Sequence, residues 1–255
     1  MPTIPRLEDA TSPEPSTLPI RKHKFDCPKL RLQLHDVNHE GSAIFLSNIK
    51  ASEDFETQVQ NVLNLLYDVP SAHRPGTRSV TLILREMDGV AYTTGIDLDD
   101  DHKEIHFNLN YINRTRPDQR HELLGVICHE LVHCFQWNAE GTCNGGLIEG
   151  IADWVRLRAG LAAKHWKREA SGNWDGGYQH TGYFLNWLEH KFGPGTVRKI
   201  NGCLRKGKYD DDLFKECCEG HSVEKLWKEY GESLEKEKKK HEDESKVKEE
   251  IKSCS

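Results

Sequence analysis

Two histidines four residues apart, His129 and His133, with Glu130 beside the first, are the residues of this chain best spaced to do chemistry. On a helix, side chains at i and i+4 rise from one face, one turn apart. Two imidazoles so placed can share one Zn2+, and the carboxylate between them can reach a water held by that ion. The spacing is that of a metal centre with its own proton acceptor. Its flanks read as a helix buried on most sides. Between 118 and 137, Leu123, Leu124, Val126, Ile127, Leu131, Val132 and Phe135 are spread most of the way round. Histidines inside such a helix need polar partners. A metal ion is one kind of partner, and a core hydrogen bond is the other.

A catalytic zinc site takes three protein ligands and keeps one position open. Metzincins put a third histidine six residues after the second and a glycine three residues after it. Ala139 and Gln136 occupy those places here and exclude that solution. The other common solution is a glutamate on the following helix. Gly141, Gly145 and Gly146 mark a loop, after which Ile148, Ala152, Val155 and Ala159 follow helical spacing. Glu149 and Asp153 are four apart and share a face of that helix. Glu149 is the candidate third ligand. Asp153 can accept a hydrogen bond from the far ring nitrogen of His129 or His133 and so fix its tautomer. Two acids on a solvent-facing helix are the plainer alternative.

HExxH followed by Glu-x-x-x-Asp resembles the gluzincin arrangement of thermolysin-like peptidases. The longer string over 129–137, then 145–153, resembles the plant basic secretory protein family and its fungal relatives. Further matches are Val155 to Gly160, His165-Trp166, Trp174-Asp175, Gly177-Tyr178 and Thr181 with Phe184-Leu185. Val223, Leu226, Trp227 and Tyr230 match later still. The resemblance implies a zinc-peptidase-like domain with one catalytic Zn2+ on His129, His133 and Glu149. Glu130 would then be the general base acting on the zinc-bound water. Tyr178 matches the family string and is the first candidate to stabilise the oxyanion. His180 and Tyr183 have suitable chemistry without matching it. The resemblance also implies that the strand over 105–110 is the sheet edge beside the metal. A peptide or protein substrate could add to it as an extra strand, with His106 and Asn108 as candidate contacts. An ordinary core strand is the other reading. Plant members are linked to defence, so a zinc-containing defence or binding protein that cleaves nothing is the alternative function. A metal-free α+β protein with an accidental motif is a third.

The elements that must position these residues read as α+β and zincin-like: a small mixed sheet packed on helices, with an α-helical C-terminal half. The 255 residues suit one domain with tails. Residues 1–24 are Pro-rich and expected to be disordered; 25–232 form the peptidase-like domain; 233–255 alternate Lys and Glu as a charged tail, a solvated helix or disordered. Strands are expected at 29–37, around 80–84, at 89–96 and at 103–112, the last two joined by an acidic solvated turn at 97–101. Ser52 is expected to cap a helix running to about Tyr67. After a loop at 164–177, helices follow from Tyr178 to about Phe192, at 196–205, at 211–218 and after Ser222.

The formal net charge of −6 gives no reason to expect nucleic acid or anionic membrane as a partner. No stretch approaches the ~18 apolar residues of a membrane span. The first twenty residues carry five prolines and no apolar core, so no signal peptide is expected. A cytoplasmic or unconventionally secreted protein follows, although the family it resembles is secreted. None of the eight cysteines forms a C-x-x-C pair, and reduced thiols are expected. The sequon Asn113-Arg114-Thr115 matters only if the chain is exported.

Overall fold

A computed structural model describes residues 23–115 and 119–253, with side chains described up to residue 245. Most of the expected N-terminal tail, and Cys254, lie outside the described residues. His23 is already tied down. Its N–H donates to Asn64 Oδ1 at 2.7 Å, and its carbonyl accepts from Asn64 Nδ2 at 3.0 Å.

The sheet has four strands: β1 (Lys29–Leu34), β2 (Ser79–Arg85), β3 (Ala91–Ile96) and β4 (Asp99–Asn108). Their spatial order is β1-β2-β4-β3. β1, β2 and β4 run parallel, and β3 returns antiparallel along β4. Parallel neighbours need a covered crossover. Helices α1 (Glu40–Asn48) and α2 (Ala51–Leu66) make it between β1 and β2. Val80, Leu82, Leu84, Ile105 and Phe107 from the sheet join Val59, Val62 and Leu63 of α2 in one buried core. Leu123, Ile127 and Leu131 of α4 (Gln119–Phe135) belong to the same core. A short α3 (Leu109–Arg114) links β4 to α4. The C-terminal half is helical: α5 (Gly145–Arg158), α6 (Tyr178–Phe192), α7 (Thr196–Cys203), α8 (Leu213–Cys217) and α9 (Val223–Ser253). The architecture is α+β and fits a zincin-like domain.

Four expectations are corrected. The strand expected over 105–110 ends at Asn108, whose side chain accepts from Asn110 N and caps α3. It is also interior to the sheet; the edge beside α4 is β3. The acidic run at 99–101 lies within β4, because Arg78 pairs with Asp99 and Asp101, and Lys103 with Asp100. Ser52 does not cap α2. The cap position falls two residues earlier, at Lys50, and Asp54 accepts from Lys50 N at 2.7 Å while gripping Arg120 at 2.6 Å. Helix α1 was not expected at all. It is capped by His39, whose Nδ1 accepts from Gly41 N at 2.9 Å.

The charged C-terminal stretch continues α9 as helix; Leu234 is buried and 235–245 are exposed. The seven described cysteines are free thiols, with Cys203 and Cys217 approaching to 3.6 Å. Among the described residues no helix is long and apolar enough to cross a membrane.

The site depends on how closely α6 lies against α5. Gly150 and Gly182 make that approach possible. A Cβ on Gly150 would stand 2.4 Å from Thr181 Cγ2. Thr181 cannot yield easily, since its hydroxyl donates to Trp174 O at 2.7 Å and accepts from Gly177 N at 2.9 Å. Gly150→Ala is therefore expected to destabilise the fold by about 1–3 kcal/mol, the usual cost of overpacking. Urea unfolding would check it; an unchanged midpoint would mean that the helices separate freely.

Candidate active site

Helix α4 carries His129, Glu130 and His133, all buried or nearly so. The following helix, α5, begins at a cap. Asn144 Oδ1 accepts from Leu147 N at 3.2 Å, and Asn144 Nδ2 donates to Asp175. That turn lays α5 against α4 and brings Glu149 and Asp153 onto the histidines. His129 Nε2 and Glu149 Oε2 are 3.1 Å apart. His133 Nε2 lies 3.2 Å from His129 Nε2 and 3.7 Å from Glu149 Oε1. The potential ligand atoms of His129, His133 and Glu149 all fall within 4.8 Å of one another. Among the described residues this is the group that could hold a metal ion. Two imidazoles and a carboxylate are a donor set that zinc accepts.

Asp153, 3% exposed, takes up the other side of His129. Its Oδ1 lies 2.7 Å from His129 Nδ1. This turns His129 Nε2 toward Glu149, as expected for a histidine presenting Nε2 to a metal. The charges packed into the site shift its ionisable groups. Burial opposes charge on His129, but the hydrogen bonds to Asp153 and Glu149 outweigh it and push the imidazole up to about 10. Burial, and then the charge of His129, push His133 down to about 4. Burial raises Glu149, but its hydrogen bond with His129 and both imidazoles more than offset this and hold it low. Carboxylates crowded round two imidazoles make a negative site suited to a cation.

Glu130 points from the same helix into the same cavity. Burial, 6% of its surface being exposed, is the main reason its carboxyl is raised. Its Oε2 accepts from Thr93 Oγ1 of β3 at 2.7 Å, and the same hydroxyl lies 3.0 Å from the Glu130 carbonyl. The cavity measures about 890 Å³ and runs between β3, α4, α5 and the start of α6. Gly89 to Thr93 form one wall, with Tyr178 opposite.

Tyr178 opens α6 after Gly177. Both have φ in the left-handed region, +47° and +81°. For a tyrosine that conformation is strained. The ring lies nearly parallel to His129, with centroids 6.1 Å apart. The charge of Glu149, then burial, raise its hydroxyl, so it stays protonated and able to donate. His180 and Tyr183 are directed elsewhere. His180 Nε2 bonds Asn173 O and its ring packs on Trp227, while Tyr183 meets Trp166 edge-on.

The chain matches the model of the family BSP, described as "Peptidase of plants and bacteria", over residues 27–230. It belongs to the BSP family. The matched region runs from just before β1 into α9 and so contains the sheet and the whole site. Peptidase membership implies peptide or protein substrates. No curated protein and no solved structure gives a significant match.

In this BSP-family chain the fold brings together His129, Glu130, His133, Glu149, Asp153 and Tyr178. It does not bring His106 or Asn108 to the cavity. His106 stacks on Tyr92 at 4.6 Å and bonds Arg85 and Glu104, while Asn108 donates to Gly89 O and caps α3. Sequence reasoning missed Thr93, which no local pattern ties to Glu130. It also missed a half-buried chain further along the cavity: Tyr111 donates to Glu122, which pairs with Arg156, whose guanidinium covers Trp166. Arg156 could have been found, because 149, 153 and 156 share a helix face.

Proposed function

We propose that this chain is a zinc-dependent peptidase in which His129, His133 and Glu149 hold the ion and Glu130 is the general base. The observation that carries the reading is the convergence of that ligand group and a buried, raised carboxylate in one cavity beside an edge strand. Zinc held there would make a coordinated water acidic near neutrality and polarise the scissile carbonyl.

The other steps fall to the chain. An extended substrate would run along β3 rather than β4, since β3 is the edge strand and its 91–93 stretch lines the cavity. Glu130 takes the proton of the attacking water and returns it to the leaving amine. Asp153 keeps the proton on His129 Nδ1. Tyr178 donates to the developing oxyanion.

The direct test is elemental analysis of the purified protein followed by a peptide-library assay. About one zinc per chain together with cleavage supports the reading. Zinc without cleavage would favour the defence or binding alternative, and failure to take up zinc would remove the metal reading. Tyr178→Phe is expected to keep the zinc and lose about 100–1000-fold in kcat, as when one oxyanion donor is removed. Unchanged kcat would leave Tyr178 a packing residue over His129.

A further inference from the structure

His129 has an evident partner for its far nitrogen, Asp153. His133 raises the same question. Its Nε2 faces His129 Nε2 at 3.2 Å and Glu149 at 3.7 Å, so Nε2 is the nitrogen turned to the ligand group. Nδ1 is then on the far side and must carry the proton when Nε2 binds a metal. A buried N–H needs an acceptor.

The group it meets is the carboxamide of Gln136, 3.0 Å away through Nε2. Gln136 is one helical step on, at i+3, just past the end of α4, and is 8% exposed. Its Oε1 is buried and has no hydrogen-bond partner. As placed, a protonated Nδ1 and the amide nitrogen would be two donors facing each other. The two ends of a carboxamide have nearly the same shape, so a half-turn exchanges them in the same space. After that turn Oε1 accepts from Nδ1–H, and the orphaned oxygen has its partner. The turn pairs Nδ1–H with Oε1 and moves the amide nitrogen to the place that Oε1 leaves.

We infer that Gln136 is a positioning residue: its carboxamide oxygen fixes the proton and ring orientation of His133, as Asp153 does for His129. The inference rests on the zinc reading given above. It assigns the two histidines unequal supports, a charged carboxylate for one and a neutral amide for the other. A neutral partner limits the negative charge around the ion.

The test measures zinc affinity by chelator competition for wild type, Gln136→Leu, Gln136→Met and Gln136→Glu, with 15N NMR of the histidine rings. Leu and Met remove the acceptor with different shapes, so a folding defect in one does not decide the result. Both are expected to bind zinc about 10–100-fold more weakly. They should also lack the slowly exchanging His133 Nδ1–H signal expected of zinc-loaded wild type. Gln136→Glu retains an acceptor oxygen and should recover most of the affinity and the signal. Wild-type affinity and an intact signal in Leu and Met would overturn the role of Gln136 while leaving the zinc site standing. No zinc uptake by wild type would overturn both.

Discussion

Glu130→Gln is expected to lower the rate of peptide hydrolysis by at least about a hundredfold, the lower end for loss of a general base. The substitution is conservative in shape. Gln retains an oxygen that can accept from Thr93 Oγ1, so the tie to β3 survives. The three candidate ligands are other residues, so the zinc should stay. What is lost is the capacity to take a proton. Burial is the main reason the Glu130 carboxyl is raised. The amide has no comparable basicity. Steady-state rates on a cleaved peptide, beside zinc content, would separate the two effects. Equal turnover by mutant and wild type would show that the proton goes elsewhere.

Glu149→Ala should fail in the opposite way, by losing the metal. Removing it leaves two imidazoles where three donors converged. Asp153 is the nearest spare carboxylate on α5, but it is engaged with His129 Nδ1 and 3% exposed. Zinc affinity should fall by more than the ~10–100-fold typical of losing an outer partner. Dialysis followed by elemental analysis would then find little metal in the variant. Full zinc content would move the third ligand to another residue, with Asp153 the first to test by a double substitution.

What the sequence made legible is what a single helix or a short connection determines. His129 and His133 sit four apart on α4, and Glu149 and Asp153 four apart on α5. Helical geometry alone puts each pair on one face. Which histidine Asp153 serves needed the packing of α4 on α5, and the answer is His129. Thr93 lies 37 residues from its partner across two strands, so no spacing rule reaches it. Strand order was equally hidden. The stretches at 91–96 and 105–108 both read as strands, and periodicity does not say which one ends the sheet. The expectation of an edge at 105–110 therefore failed, and His106 and Asn108 lost their place beside the candidate ligands with it. Helix α1 escaped notice because Ile44, Phe45 and Leu46 are consecutive, which resembles no amphipathic period, and Phe45 alone of them is buried.

Thr93 has one more consequence. Its single hydroxyl reaches both the side chain and the backbone carbonyl of Glu130, so that carboxylate takes its bearing from the strand as well as from its own helix. The adjacent Tyr92 turns to the opposite face and stacks on His106. One short strand thus faces two ways: Thr93 meets Glu130 on one side of the sheet, and the Tyr92 ring covers His106 on the other. Under the proposed mechanism a change at position 92 would act on the far side of the sheet, whereas a change at position 93 would alter the aim of Glu130 and the track beside it together.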